Sequence, residues 1–139
     1  MTKSKWYYDY NRNKENTDYK YFKLSEFDSP DLPDSGINMS HDFMLMLVKA
    51  REIAKIPFTI TSGYRTKEHN KKIGGVENSS HTTIPCVACD IYVDNGKNRY
   101  IILNALIQAG FRRIGIADNF VHIDIDSNKT SNLIWTYKK

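Results

Sequence analysis

Cysteine is scarce in this sequence, since the 139 residues include only Cys86 and Cys89. Two cysteines three positions apart cannot join distant parts of a fold, which excludes a disulfide framework. Structural zinc sites made of thiolates usually need two CxxC pairs, and this chain has one. We therefore expect Cys89 to pack in the core. For Cys86, packing, an approach to a metal and a reversible disulfide with Cys89 all remain open.

Long hydrophobic runs are also missing. The longest run, from Phe43 to Val48, is far too short to span a bilayer. The first twenty residues contain no hydrophobic segment and no small-residue cleavage site, so they do not resemble a secretory signal. We expect no membrane contact and a chain made in the cytoplasm, which would reach a target outside the cell only after release by another route.

The excess of positive over negative charge is small. Twenty Lys and Arg residues against 16 Asp and Glu give a formal charge of +4 and a pI near 9.0. This mild positive charge suits an anionic surface or polymer, but it does not indicate nucleic acid as a partner. The length and the 40% hydrophobic content predict one globular domain, which we expect to be a monomer.

The order of hydrophobic patterns predicts an α+β fold. Residues 1–20 are polar and lack a sustained period, so we interpret them as a flexible or loosely docked arm before a domain at 21–139. Helices are predicted after the caps Ser40 and Thr66 and from about Asn98 to Ala109. Strands are predicted in FTIT, VACDIYV, RRIGIA, FVHIDID and LIWTYK. The expected architecture is a small, mostly antiparallel sheet packed against helices.

Two of these predicted strands carry candidate metal ligands. In FVHIDID, apolar residues alternate with His122, Asp124 and Asp126, so one face is apolar and the other polar. A solvated strand face would show the same alternation. However, Asp90 also lies opposite an apolar face in its own strand, and His81 precedes it. Two histidines and one carboxylate are a complete protein ligand set for one catalytic Zn²⁺, with a position left open for water.

The stretch SGYR contains a candidate for substrate binding. The guanidinium of Arg65 can bind a carboxylate through two parallel hydrogen bonds. An exposed arginine without a ligand is the alternative interpretation. Tyr64, which precedes it, either lines a substrate cleft or packs the loop, and the sequence does not separate the two.

Four motifs together resemble a known family. YFKLSEF, SGYRTKEHNKKIGG, NSSH…ACDI and GFRRIGIADNFVHIDI occur in the order found in VanY-type zinc D-alanyl-D-alanine carboxypeptidases and peptidoglycan endopeptidases, a family that includes phage endolysins. The likeness extends from about Tyr21 to Asp126. It implies a small α+β fold with the metal on an antiparallel sheet, and it implies that His81, Asp90 and His122 are the zinc ligands. It also assigns Arg65 and Ser80 to substrate binding.

The sequence departs in three ways from the family pattern, which consists of SxHxxGxAxDI and a later HxD with the residues before it. Asp90 follows His81 by nine positions instead of seven, as if TTIP contained a two-residue insertion, which loops tolerate. The family glycine is replaced near Cys86, so the turn must be made differently. Many relatives carry an acidic general base three positions before the last histidine, where Asn119 stands here.

Two aspartates are candidates for that missing base. Asp118 lies one position earlier and is our preferred candidate, while Asp124 shares a strand face with His122 and is more typical of a residue that orients a metal ligand.

The resemblance implies a zinc peptidase that cleaves peptidoglycan stem peptides at a bond next to a D-amino acid. The sequence does not distinguish a carboxypeptidase from an endopeptidase. Two alternatives stay open: a wall-binding module that has kept zinc but lost turnover, which Asn119 makes credible, and a redox protein built on the two cysteines.

Overall fold

The computed structural model describes residues 4–137 and contains a five-stranded sheet, a short hairpin and four α-helices in that part of the chain. Two 3-10 helices occupy Leu24–Phe27 and Ser35–Asn38. The α-helices are α1 Lys5–Glu15, α2 His41–Ala54, α3 Lys67–Lys72 and α4 Gly96–Gln108. The strands are β1 Asp18–Tyr19, β2 Phe22–Lys23, β3 Ile60–Ser62, β4 Ala88–Tyr92, β5 Arg113–Ile116, β6 Phe120–Asp124 and β7 Leu133–Thr136.

The main sheet has the strand order β3-β4-β6-β5-β7. Strand β4 pairs antiparallel with β3 and β6, and β6 pairs antiparallel with β5. Only the edge strand β7 is parallel to its neighbour among the described strands, because the chain returns from β6 to the far side of β5. The sheet is therefore mixed and mostly antiparallel, and the α+β prediction is confirmed.

One face of the sheet forms the core. Cys89 and Ile91 in β4 and Val121 and Ile123 in β6 are fully buried. They belong to one apolar cluster with Phe43 and other residues of α2 and α4. The two-residue period of a strand turns the alternate side chains to the opposite face, which carries Asp90, His122 and Asp124. The helices thus cover one face and leave the other for the candidate site.

The helix caps follow from the sequence. The Ser40 hydroxyl accepts a hydrogen bond from the Phe43 amide at 3.2 Å and begins α2, as predicted. Thr66 caps α3 in the same way. Helix α4 begins two residues earlier than predicted, since Asn95 accepts from the Asn98 amide and is its N-cap. Gly110 ends this helix at φ +105°, a conformation that favours glycine.

The N-terminal segment is more ordered than its composition suggested. Asn13 in α1 is fully buried, and its amide donates to the carbonyls of Ile37 and Met39. The Asp9 carboxylate accepts from the His41 amide at the start of α2. These polar contacts hold α1 against the rest of the fold. The sequence did not predict this helix, because the segment has no apolar period. The boundary at residue 20 stays a prediction. Within residues 4–137, every helix falls short of the length and apolar character needed to cross a bilayer.

Candidate metal centre

Strand register brings two of the predicted metal ligands together. In the antiparallel pair of β4 and β6, Asp90 stands directly opposite His122. Residues opposite each other in such a pair project from the same face of the sheet. His81 reaches the same place from the loop before β4. Its carbonyl accepts a hydrogen bond from the Arg65 amide at 2.9 Å, which fixes the backbone of that loop.

The three side chains converge on one point. His81 Nε2 and His122 Nδ1 lie 3.2 Å and 3.0 Å from Asp90 Oδ1, and the two ring nitrogens are 3.2 Å apart. All three residues are buried. Among the described residues, this is the one group of three or more His, Cys, Asp or Glu side chains whose ligand atoms lie close enough to hold a metal ion.

The hydrogen bonds around the two imidazoles fit a metal in this position. His81 Nδ1 lies 2.7 Å from the Gly63 carbonyl, and His122 Nε2 lies 2.7 Å from Asp124 Oδ2. Both partners are acceptors, so these nitrogens carry the protons in the neutral rings. The lone pairs of the other two nitrogens then face each other and a carboxylate oxygen. A cation between the three donor atoms removes that repulsion, and the outer acceptors hold each ring in place.

Burial and the neighbouring groups shift the pKa values of the residues in the cluster. Although burial opposes it, hydrogen bonds with His122 and His81 hold the pKa of Asp90 below its ordinary value. Burial lowers the pKa of His81. Burial also acts against the charged form of His122, but Asp124 and Asp90 raise the pKa of that imidazole overall. The Asp90 carboxyl group therefore stays ionised, as a carboxylate that binds a metal must be.

Arg65 lies at the edge of the cluster. Its Nη2 group is 3.3 Å from Asp90 Oδ2, its Nε donates to the Ser62 hydroxyl at 2.9 Å, and its Nη1 donates to Asn70 Oδ1 at 3.2 Å. Described residues thus engage three of the five N–H groups of the guanidinium. The side chain is held in one orientation with its remaining N–H groups available to a ligand in the cleft.

Of the two aspartates predicted as bases, the structure brings one to the cluster. Asp124 is 1% exposed, and besides His122 it accepts from Arg113 Nε at 2.7 Å and from the Asp126 amide at 3.1 Å. Hydrogen bonds with His122 and Arg113 keep its pKa low against the effect of burial. These contacts suit a residue that orients His122. Asp118 is exposed in the turn between β5 and β6 and does not line the cleft around the cluster.

The two remaining residues predicted to bind substrate occupy different places. Ser80 lines the cleft and is buried, and its hydroxyl donates to Asp126 Oδ2 at 2.7 Å while accepting from Lys129 Nζ at 3.0 Å. Tyr64 is 7% exposed, belongs to the hydrophobic core and does not line the cleft. Of the two interpretations of Tyr64, the structure agrees with packing, because the residue is buried within the core cluster.

The unusual TTIPC spacing is absorbed by a closed loop. The Thr83 hydroxyl contacts the carbonyls of Ser80 and Pro85 at 3.2 Å and 2.9 Å. Cys86 Sγ lies 3.4 Å from the His81 carbonyl oxygen. Both cysteines are buried free thiols, and burial raises the pKa of Cys86 to about 12. The cysteines thus support the loop and the core and take no part in the cluster.

The cleft also contains aromatic residues that none of the sequence motifs indicated. Its volume is about 450 Å³, and its lining includes two residues of the C-terminal segment, Trp135 and Tyr137, with Phe120 and Lys129. The alternation within LIWTYK places Trp135 and Tyr137 on one face of a strand, and this signal was available in the sequence. Whether that face is the one that carries His122 depends on the pairing of β7 with β5.

The fold and the site define a class of protein. A small α+β domain with two histidines and one carboxylate converging beside an open cleft has the donor set of a catalytic zinc site. The family model described as Peptidase M15 matches residues 20–124, well over half of the chain. The chain belongs to this family of zinc metallopeptidases, which includes the VanY-type carboxypeptidases. No curated protein matches the chain.

Proposed function

We propose that this protein is a zinc peptidase that hydrolyses peptidoglycan stem peptides at a bond next to a D-amino acid, as a D-Ala-D-Ala carboxypeptidase or as an endolysin-like endopeptidase. The observation that carries the proposal is the convergence of His81, Asp90 and His122 beside Arg65 in an open cleft. Membership of the M15 family supports the general chemistry.

The three residues would hold one zinc ion through His81 Nε2, an Asp90 oxygen and His122 Nδ1. When bound, zinc supplies Lewis acidity, which polarises a peptide carbonyl and makes a coordinated water acidic near neutral pH. The chain's own contribution is orientation. The Gly63 carbonyl and Asp124 hold the two imidazoles in the tautomers that turn their lone pairs toward the ion.

The charges along the cleft support an anionic substrate. Arg65, Arg113 and Lys129 are balanced by Asp90, Asp124 and Asp126, so a bound divalent cation gives the site a net positive charge. Arg65 has N–H groups left for a substrate carboxylate or carbonyl oxygen. A stem peptide, which carries carboxylates, matches this arrangement.

A direct test incubates zinc-loaded protein with purified peptidoglycan fragments and identifies the products by mass spectrometry. Release of a terminal D-alanine would indicate a carboxypeptidase, and two peptide fragments would indicate an endopeptidase. We expect His122→Ala to lose both zinc and cleavage. The matched control His69→Ala, which removes an imidazole in α3 outside the cluster, should keep both. Retention of metal and cleavage by His122→Ala would refute the assignment.

A second candidate function is a zinc-containing module that binds the cell wall without cleaving it. Two observations favour it: Asn119 occupies the position where many relatives carry an acidic base, and Asp118 lies outside the cleft. The same incubation separates the candidates. About one zinc per chain, cosedimentation with insoluble peptidoglycan and no peptide product would support the module and contradict the peptidase.

A further inference from the structure

A row of aromatic rings from β6, β7 and the residue after β7 lines the cleft. We call Phe120, Trp135 and Tyr137 the aromatic wall. The ring centroids of Trp135 and Tyr137 are 6.4 Å apart, and those of Tyr137 and Phe120 are 5.4 Å apart. The Trp135 ring is also 5.6 Å from the imidazole of His122. The wall therefore begins at a metal ligand and continues outward along the cleft.

Two residues of β5, Gly115 and Arg113, fix the position of Trp135. Its backbone pairs with Gly115, and a Cβ atom at Gly115 would lie 2.7 Å from the indole. The close approach therefore requires glycine at this position. The guanidinium of Arg113, which is ion-paired with Asp124, lies 5.0 Å from the centre of the indole ring. The indole is thus placed before any ligand arrives, which lowers the entropic cost of binding against it.

The wall is open to solvent where a ligand can reach it. Tyr137 is 44% exposed, and Trp135 is partly exposed. Tyr92, which stands opposite Phe120 in the sheet and is 46% exposed, continues the aromatic surface on the same face. Exposed aromatic rings that adjoin a site are typical of ligand-binding surfaces. Trp135 and Tyr137 also lie beyond residues 20–124, so the segment matched by the family model contains neither ring.

We propose that the aromatic wall binds a sugar ring of the peptidoglycan glycan, an N-acetylated hexosamine, while the attached stem peptide lies over the metal centre. This inference rests on the proposed function, and it identifies the part of the polymer that the cleft recognises besides the peptide.

The size and chemistry of the wall favour a sugar over a peptide side chain. The side chain of a D-alanine is a methyl group, which covers only a small part of one ring. A hexosamine presents a broad C–H face that packs against the electron-rich faces of aromatic rings. Its hydroxyl and acetamido groups can hydrogen-bond to polar side chains that line the same cleft, such as Lys129.

Tryptophan fluorescence gives a test that does not depend on turnover. The chain has two tryptophans, so Trp6→Phe leaves Trp135 as the sole reporter. The probe is the peptide-free disaccharide of N-acetylglucosamine and N-acetylmuramic acid. We expect a saturable change in emission, with the dissociation constant raised roughly tenfold by adding Tyr137→Ala. The matched control Tyr100→Ala, which removes a ring 72% exposed on α4, should leave the constant unchanged.

Two outcomes of this titration would overturn the inference. One is unchanged emission at millimolar disaccharide. The other is a response to the free stem peptide whose dissociation constant rises with Tyr137→Ala while that for the disaccharide does not, which would assign the wall to the peptide.

Kinetics with two substrates provide the second arm. Tyr137→Ala should lower kcat/KM for a disaccharide-linked stem peptide about tenfold more than for the same peptide without sugar, chiefly through KM. An equal loss on both substrates would show that the wall only supports the fold and would contradict the inference. If wild-type protein cleaves neither substrate, the proposed function fails, and the fluorescence titration still decides whether the wall binds sugar.

Discussion

At the scale of single residues, Asp124 fixes the orientation of the His122 imidazole. Its Oδ2 atom lies 2.7 Å from His122 Nε2, while its Oδ1 atom accepts from Arg113 at 2.7 Å. This pair of contacts fixes the ring so that Nδ1 faces Asp90 and His81. Asp124 would therefore act on a bound metal through another residue, which is the role of an orienting partner.

We predict that Asp124→Asn weakens zinc binding by about 10- to 100-fold, because the neutral amide holds His122 less firmly. Zinc affinity can be measured by competition with a chromogenic chelator. The matched variant Asp118→Asn changes an exposed residue that does not line the cleft, and it should bind zinc like the wild type. Equal affinities in all three proteins would contradict the orienting role.

The buried thiol of Cys86 leads to a prediction about pH. Burial raises its pKa from 9.0 to about 12, so the folded protein keeps the thiol neutral where the unfolded chain ionises it. A pKa raised by folding stabilises the protein below the unfolded value, and this contribution is lost as the pH rises above it.

We therefore expect the free energy of unfolding to fall as the pH rises from about 8 toward 10. In Cys86→Ala the fall should be smaller by about 1 kcal/mol at pH 10. Urea unfolding of both proteins at the two pH values measures the difference. Identical pH dependence in the two proteins would show that the thiol does not contribute.

At the scale of elements, the edge strand β7 depends on a single small residue in its neighbour. Gly115 in β5 faces Trp135, and no side chain fits between the strand and the indole. We predict that Gly115→Ala displaces Trp135 and destabilises the protein by about 1–3 kcal/mol. A red shift of tryptophan emission in the Trp6→Phe background, together with urea unfolding, measures both effects.

A matched control is Gly96→Ala at the start of α4, where an added Cβ meets nothing within 4 Å. It should leave the emission unchanged. Normal emission and stability in Gly115→Ala would mean that the packing of Trp135 against β5 contributes little.

At the scale of the whole molecule, the candidate metal centre brings together residues from separate parts of the chain. His81 comes from a loop, and Asp90 and His122 come from paired strands. A metal that binds only the folded state stabilises it by mass action, by about 4 kcal/mol when its concentration is a thousand times the dissociation constant. We therefore predict that chelation by EDTA lowers the Tm of the wild type.

The control for this prediction is His122→Ala, whose Tm should not respond to EDTA because the ligand set is already incomplete. An unchanged Tm in the wild type, under conditions where metal analysis shows that zinc has been removed, would contradict coupling between the metal and the fold.

Local features of the fold could be predicted from the sequence. The alternation in VACDIYV and FVHIDID predicted which side chains of β4 and β6 face the core, because a strand has a strict period of two. The caps at Ser40 and Thr66 were predicted because their hydrogen bonds are local. Helix α1 was not predicted, since it docks through buried polar groups such as Asn13 whose partners are distant in sequence.

The sequence by itself determined the donor types, the faces of the two central strands and the resemblance to a zinc peptidase family, because these depend on local periodicity and on ordered motifs. The tertiary structure decided which candidates meet. Strand pairing placed Asp90 opposite His122 and brought Trp135 beside the cluster, while the connecting segments left Asp118 in an exposed turn and buried Tyr64. The physical reason is that pairing between strands fixes distances across the sheet, and for strands distant in sequence, such as β4 and β6, the spacing along the chain does not set which residues stand opposite each other.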